Sequence, residues 1–151
     1  MAFLLDELTK LIESAETEGL EYALCGAIAL GVQGFPRATM DIDLLIHEQS
    51  LEKALEIAGN QGYDIGGLDI SFKEPTLEIR TVSKIIGDAI LRLDFLLVTD
   101  DIEDVWDTRE RLPYLGRSMW VVSREGLIKL KRRANRPQDL VDIERLENEE
   151  H

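Results

Sequence analysis

Asp41 and Asp43, in the segment Met40-Asp41-Ile42-Asp43-Leu44-Leu45-Ile46, are the residues of this chain best placed to do chemistry. In a β-strand, residues i and i+2 point the same way, so both carboxylates share one face while Ile42 and Leu44 take the other. Two adjacent acids on an otherwise apolar strand repel each other and desolvate poorly, and a cation offsets that cost. Hard carboxylate oxygens suit Mg2+, with Mn2+ as the alternative, so the pair predicts a metal–phosphate site. Asp94 is a further acid inside an apolar run, 89–98. If its strand lies beside the first, three carboxylates converge, a set that can hold two Mg2+ about 4 Å apart for in-line phosphoryl or nucleotidyl displacement. Gly26 stands at the mouth of a short helix, where free backbone N–H groups and the helix dipole favour phosphate. Arg37 and Thr39, just ahead of the acid pair, are placed to contact a substrate. Each feature has a plainer explanation. The acid pair could face solvent from an edge strand, Asp94 could pair with Arg92 or Arg80, and Gly26 could serve a tight turn. Their order along the chain is what makes the set specific.

The elements that must position these residues follow from periodicity and punctuation. Phe3, Leu4, Leu8, Leu11, Ile12 and Ala15 recur at helical spacing, predicting a helix over 3–18 that Gly19 ends. A strand over 21–25 leads to a short helix over 27–33, broken by Gly34-Phe35-Pro36. The acid-bearing strand covers 40–46, and a helix over 48–62 follows. Three β-like stretches come next, 63–72, 76–82 and 89–98, punctuated by Pro75 and Gly87, with Gly66-Gly67 marking a bulge or loop near the substrate. A short acidic helix over 101–110 precedes a hairpin around Leu115-Gly116. Ser123 is a good N-cap for a helix over 124–133, with Glu125 in its first turn, and Asn135-Arg136-Pro137 turns the chain into a last helix over 138–148. The expected fold class is α/β (α+β): a mixed β-sheet flanked by helices, with a C-terminal helix pair. A single domain over 1–151 is expected, its core at about 20–100 and its C-terminal hairpin and helices at about 111–148.

Composition narrows the function classes. The net charge of −13 argues against general coating of nucleic acid, which depends on neutralising phosphates. The charge is uneven: from Arg109 to Arg136 nine Lys/Arg face two acids, so this segment is +7 while the remainder carries −20. It is either a solvated basic helix face or a surface turned to a polyanion, a triphosphate or an RNA end. The one cysteine, Cys25, permits no intrachain disulfide and reads as a buried small hydrophobe, since neither His47 nor His151 is an obvious partner. The N-terminus reads as an acidic amphipathic helix instead of a signal peptide, and no apolar run is long enough for a bilayer, so a cytoplasmic protein is expected. Trp106 and Trp120 are expected as core or interface anchors, His47 as a strand-end surface residue, and the tail 144–151 as a solvated helix end.

Gly26-Ala27, followed by Arg37-Ala38-Thr39-Met40-Asp41-Ile42-Asp43, resembles the signature of the nucleotidyltransferase (polymerase-beta-like) superfamily. There, Gly-Gly or Gly-Ser opens a helix and a D-x-D follows on the next strand. The run 127–143, with Lys131, Arg136, Asp139 and Asp142, is similar to the closing motif of its AbiEii-type branch. The resemblance covers about 20–146. It implies Asp41 and Asp43 as paired metal ligands and Asp94 as the third carboxylate, binding metal or helping deprotonate the acceptor. It further implies Gly26 and Ala27 as backbone donors to the triphosphate, and Lys131 and Arg136 as phosphate-side cations. Asp139 and Asp142 belong either to that motif or to a salt-bridged helix pair. The implied activity moves an NMP from an NTP to an acceptor, RNA or a tRNA end or a protein hydroxyl, in a toxin–antitoxin or phage-defence setting. Two departures stand out: Ala27 replaces a Ser or Gly, and the chain lacks the extra C-terminal helices of larger members, so acceptor choice could need a homodimer or a partner polypeptide. A catalytically inactive nucleotide-binding or protein-interaction module on the same fold is the alternative, and a metal phosphotransferase or phosphohydrolase fits the order of elements less well.

Overall fold

The computed structural model describes residues 2–67, 69–73 and 76–148. α1 (Ala2–Glu18) buries Leu4, Leu8, Leu11, Ile12 and Ala15, and Gly19 ends it at φ +73°. β1 (Ala23–Cys25) is fully buried and runs directly into α2 (Gly26–Val32). β2 (Asp41–Ile46) follows, then α3 (Leu51–Asn60). β3 (Ile65–Gly66), β4 (Ile70–Lys73), β5 (Thr76–Ile86) and β6 (Ala89–Leu97) come next. α4 (Glu103–Asp107), the hairpin β7 (Glu110–Tyr114) and β8 (Arg117–Val121), α5 (Arg124–Ala134) and α6 (Pro137–Asn148) complete the described chain.

These strands make one eight-stranded mixed sheet in the order β3-β5-β6-β2-β1-β8-β7, with β4 also paired to β5. β2 lies parallel to β6 and β1 parallel to β8, while the remaining pairs are antiparallel. Alternation splits the central strands into two faces. Ile42, Leu44 and Ile46 of β2 join Leu91, Leu93, Phe95 and Leu97 of β6 in the core with α1 and α3. Asp41, Asp43, Arg92 and Asp94 take the other face, toward α5 and α6. The α/β fold class with its C-terminal helix pair is as the sequence implied.

Local chemistry explains where the expected elements hold. Ser123 Oγ accepts a bond from the Gly126 N–H at 3.1 Å, capping α5. Leu115 and Gly116 take φ +53° and +76°, the left-handed pair that a two-residue hairpin turn demands. Three expectations shift. The stretch 63–72 breaks into β3 and β4 where Gly67 packs against Thr81, a Cβ there reaching 2.9 Å from that side chain. β5 continues four residues beyond 82, because the turn at Gly87-Asp88 keeps Ser83–Ile86 in register with 89–92. The helix expected over 101–110 is confined to α4, since the chain turns into β7 at Glu110. Pro75 and the end of the acidic tail, with His151, lie outside the described residues. Among the described residues no helix is long and apolar enough to cross a membrane.

Candidate active site

β2 and β6 are parallel and in register, with Asp43 opposite Asp94 and Asp41 opposite Arg92. This register, not sequence spacing, brings the three carboxylates to one place. Gly26 makes room for them. At φ +68° it adopts a conformation that L side chains rarely take, and a Cβ on it would lie 2.1 Å from Asp43 Oδ2. The glycine is required both by its backbone and by the close approach of the Asp43 carboxyl. It opens α2, where Ala27 presents only backbone and a methyl group.

The acids are unevenly satisfied. Asp94, 6 % exposed, accepts from Thr81 Oγ1 at 2.5 Å and from Arg92 Nε at 3.1 Å to each carboxylate oxygen. Arg80 pairs with Asp69 and Glu78 instead, which decides between the two basic partners considered for Asp94. Asp43 is pushed up to about 8, first by burial and then by the charges of Asp94 and Asp41, with Arg92 pulling the other way. The Arg92 guanidinium is held above its ordinary value by its bond to Asp94 and, after the cost of burial, by the charges of Asp94, Asp41 and Asp43. Burial, then Asp43, raises the Cys25 thiol well above its usual range, in keeping with the expected small hydrophobe and not a nucleophile.

A cleft of about 540 Å³ is lined by Gly26, Ala27, Arg37, Thr39, Asp41, Asp43, Asp94, Lys131, Arg136 and Asp139 among the residues named from the sequence, and not by Asp142. Their contacts inside it differ from expectation in several places. Thr39 Oγ1 accepts from the Asp41 N–H at 3.1 Å and so braces the start of β2. Lys131, 6 % exposed, donates to Asp142 Oδ2 at 3.0 Å and lies 3.9 Å from Asp139. Arg136 Nε donates to Asp139 at 2.7 Å, and Arg37 lies 3.3 Å from Asp142, its own Nε buried without a hydrogen-bond partner. Asp139 and Asp142, 1 % and 0 % exposed, therefore anchor a salt-bridged pair of helices. Burial pushes the Asp142 carboxyl up, but bonds from Lys131 and Gln138 and the charges of Lys131 and Arg37 bring it below the usual carboxylate range.

Sequence reasoning did not single out Thr81 or the apolar side of the cleft, Ile70, Phe72, Leu77, Ile79 and Leu96. The signal for Thr81 is its cross-strand position opposite Asp94, visible only once β5 and β6 are paired. His47 sits at the strand end against Glu103 and the edge of Trp106, and Trp106 is buried.

Among the described residues no three His, Cys, Asp or Glu side chains are gathered into a ready metal-ligating set. The donor chemistry nevertheless suits a divalent cation. Asp43 stands opposite Asp94 with Asp41 two residues along the same face, Asp43 is driven toward protonation by burial and then by the negative charge of its neighbours, and the Arg92 guanidinium stands against them as the cation in place.

No protein-family model matches the chain, and no curated protein sequence matches it. Solved structures do. A proposed nucleotidyltransferase of Thermotoga maritima superposes with a TM-score of 0.67 at 15% identity, over 97% of this chain and 93% of that one. The chain has the nucleotidyltransferase-like fold. The lincosamide antibiotic adenylyltransferase LnuA, solved with lincomycin, matches at TM-score 0.65 and 17% identity over 95% of this chain and 96% of its own. ANT(2″)-Ia, solved with adenylyl-2″-tobramycin, matches at 0.66 and 18% over 97% and 87%. At such identities the likeness is one of fold. It does reach nearly the full length of all three, so the brevity of this chain does not set it apart from them. The nucleotidyltransferase-like fold thus carries the acid cluster on its central strands, with the helix pair across the cleft.

Proposed function

We propose that this protein is a Mg2+-dependent nucleotidyltransferase that moves an NMP from an NTP to an acceptor hydroxyl. The observation that carries the reading is the register of β2 and β6, which sets Asp41 and Asp43 beside Asp94 under a glycine with no room for a side chain. The likeness of fold to two adenylyltransferases supports it. Asp41, Asp43 and Asp94 would hold the cation, which when bound neutralises phosphate oxygens and stabilises the pyrophosphate leaving group. Gly26 and Ala27 offer backbone donors to the triphosphate, while Arg37, Lys131 and Arg136 give the opposite wall its positive field. The acceptor oxygen bonds to the α-phosphorus, the bond from that phosphorus to the β-phosphate oxygen breaks, and Asp94 is placed to take the hydroxyl proton. The AbiEii-type branch, with RNA or protein acceptors and a toxin–antitoxin role, is supported by the closing motif alone.

The test is calorimetric titration of the four NTPs with Mg2+ on the wild type and on Asp43→Asn, followed by transfer from an α-labelled NTP. Metal-dependent binding that Asp43→Asn removes is expected, with transfer reduced at least about a hundredfold. Binding or transfer indifferent to that substitution would take Asp43 out of the site. One observation favours a second reading, a module that binds without turnover: Arg92 is paired to Asp94, and Arg37, Lys131 and Arg136 are paired to helix acids. Stoichiometric pyrophosphate release with any acceptor would eliminate it.

A further inference from the structure

The cleft has a second side that the phosphate chemistry does not use. Along the acid-bearing face of the sheet, Thr81 stands opposite Asp94, Ile79 opposite Leu96, Ile70 opposite Ile79, and Phe72 opposite Leu77. Alternate strand residues share a face, so moving one step from Asp94 along β6 and outward across β5 and β4 meets only aliphatic and aromatic side chains. These five residues line the cleft, with Leu130 of α5 across from them. Phe72 is 55% exposed on this wall, where a residue of its size would ordinarily be covered. The apolar wall begins where the carboxylates end.

Charge limits what can lie there. The five basic residues lining the cleft, Arg37, Arg92, Lys131, Arg133 and Arg136, are each ion-paired to a carboxylate. A nucleic-acid acceptor must have its backbone phosphates neutralised at the site, and these cations are already committed. A nucleobase would bring ring nitrogens and exocyclic groups that lose water against a wall offering no partner. The cleft volume, about 540 Å³, lies in the range of small-molecule sites.

Resting on the nucleotidyl-transfer reading, we infer that the acceptor is a small, uncharged molecule with an apolar body and a terminal hydroxyl. Its body lies on Ile70, Phe72, Ile79 and Leu96, and its hydroxyl reaches Asp94. Bonds made and broken are those of the transfer itself: the acceptor oxygen takes the nucleotidyl phosphorus, pyrophosphate leaves, and the proton goes to the Asp94 carboxylate.

The probe is N-phenyl-1-naphthylamine, a neutral apolar fluorophore, titrated into the whole chain while ATP·Mg2+ binding is measured separately by calorimetry. Fluorescence should report saturable binding that Phe72→Asp and Ile79→Asp each weaken at least tenfold, that Asp43→Asn leaves unchanged, and that ATP·Mg2+ does not displace. Phe72→Asp changes an exposed side chain, and circular dichroism confirms that it folds. No probe binding by folded wild type, or binding indifferent to both wall substitutions, would overturn the inference. Displacement by ATP·Mg2+ would assign the wall to the base, displacement by unfractionated tRNA to an RNA acceptor, and a dimer split by Phe72→Asp to a second copy; each also overturns it. Failure of the nucleotidyl-transfer reading shows separately, as ATP·Mg2+ binding that ignores Asp43.

Discussion

Asp43 of β2 lines the cleft and Asp142 of α6 is buried behind its helix wall, and their carboxyls are driven in opposite directions. Asp142 has no exposed surface but is brought below the usual carboxylate range by Lys131, Gln138 and Arg37. Asp43 lines the cleft and is pushed up to about 8, first by burial and then by the charges of Asp94 and Asp41, with no cation among the described residues bonded to it to reverse the shift. Burial raises both; partners decide the outcome. On the helix side each buried acid has a cation, Arg37, Lys131 and Arg136 standing against Asp139 and Asp142, as in a structural network that keeps an excess of positive charge. On the sheet side three acids share one guanidinium, an arrangement that leaves negative charge for a ligand to meet. This difference separates the residues that hold the helices together from the part of the cleft to which the proposed chemistry is assigned.

The largest expected effect comes from breaking the helix side. Lys131→Ala leaves Asp142 with Arg37 at 3.3 Å and the Gln138 amide at 3.0 Å, and removes the cation near Asp139. Removing one partner of a buried pair costs about 3–5 kcal/mol, and the remaining Arg37 places the loss near the lower figure. Urea unfolding measures it. Arg132→Ala, which breaks an exposed pair with Glu147 on the same helices, is the control and should cost less than about 1 kcal/mol. Equal losses would show that the buried network contributes no more than surface pairing, and that the helix and sheet sides do not differ in this respect.

Next comes Gly26→Ala, which attacks the sheet side without touching a charge. The positive φ costs about 1–2 kcal/mol, and the added Cβ forces Asp43 from its position. A misplacement of about 1 Å is enough to lower transfer roughly a hundredfold. Gly19→Ala, at φ +73° with nothing within 4 Å of the new Cβ, carries the same backbone strain and should leave transfer unchanged. If the two variants behave alike, Gly26 serves the backbone alone.

What the sequence disclosed and what it hid divide along the same physical line. Local chemistry was legible: the amphipathic spacing of α1, the Ser123 cap, the Leu115-Gly116 turn and the alternation that puts Asp41 and Asp43 on one face all depend on residues a few positions apart. Nothing local, however, aligns Asp94 with Asp43 across fifty residues; that needed the β2–β6 register, and only a family resemblance anticipated it. Lys131 illustrates the converse. Its place in the motif was plain, but its partners Asp142 and Asp139 are set by how α6 packs on α5, which no local spacing discloses. Phe72 gave no signal, because an aromatic in a strand is ordinarily covered and its exposure depends on how β4 sits at the edge of β5.

The smallest effect is a slope, and it tests the sheet side directly. An unfolded Asp titrates near 3.9, while Asp43 in the folded protein is held at about 8. Between those values the folded state binds the extra proton on Asp43, so the contribution of this group to stability is fully present below about pH 4 and is lost as pH rises toward 8. Asp43→Asn removes that proton from the balance. Its melting temperature should therefore fall less steeply than that of the wild type between pH 5 and 8. At pH 8 it should lie a few degrees higher, about 2–4 °C for each ~1 kcal/mol recovered in a chain of this size. Mg2+ at pH 8 should lift the wild type toward the variant by supplying the charge that the acids lack, and should leave Asp43→Asn where it was. Parallel melting curves with and without the substitution would mean that Arg92 already balances the three acids, and the sheet side would then be as closed as the helix side.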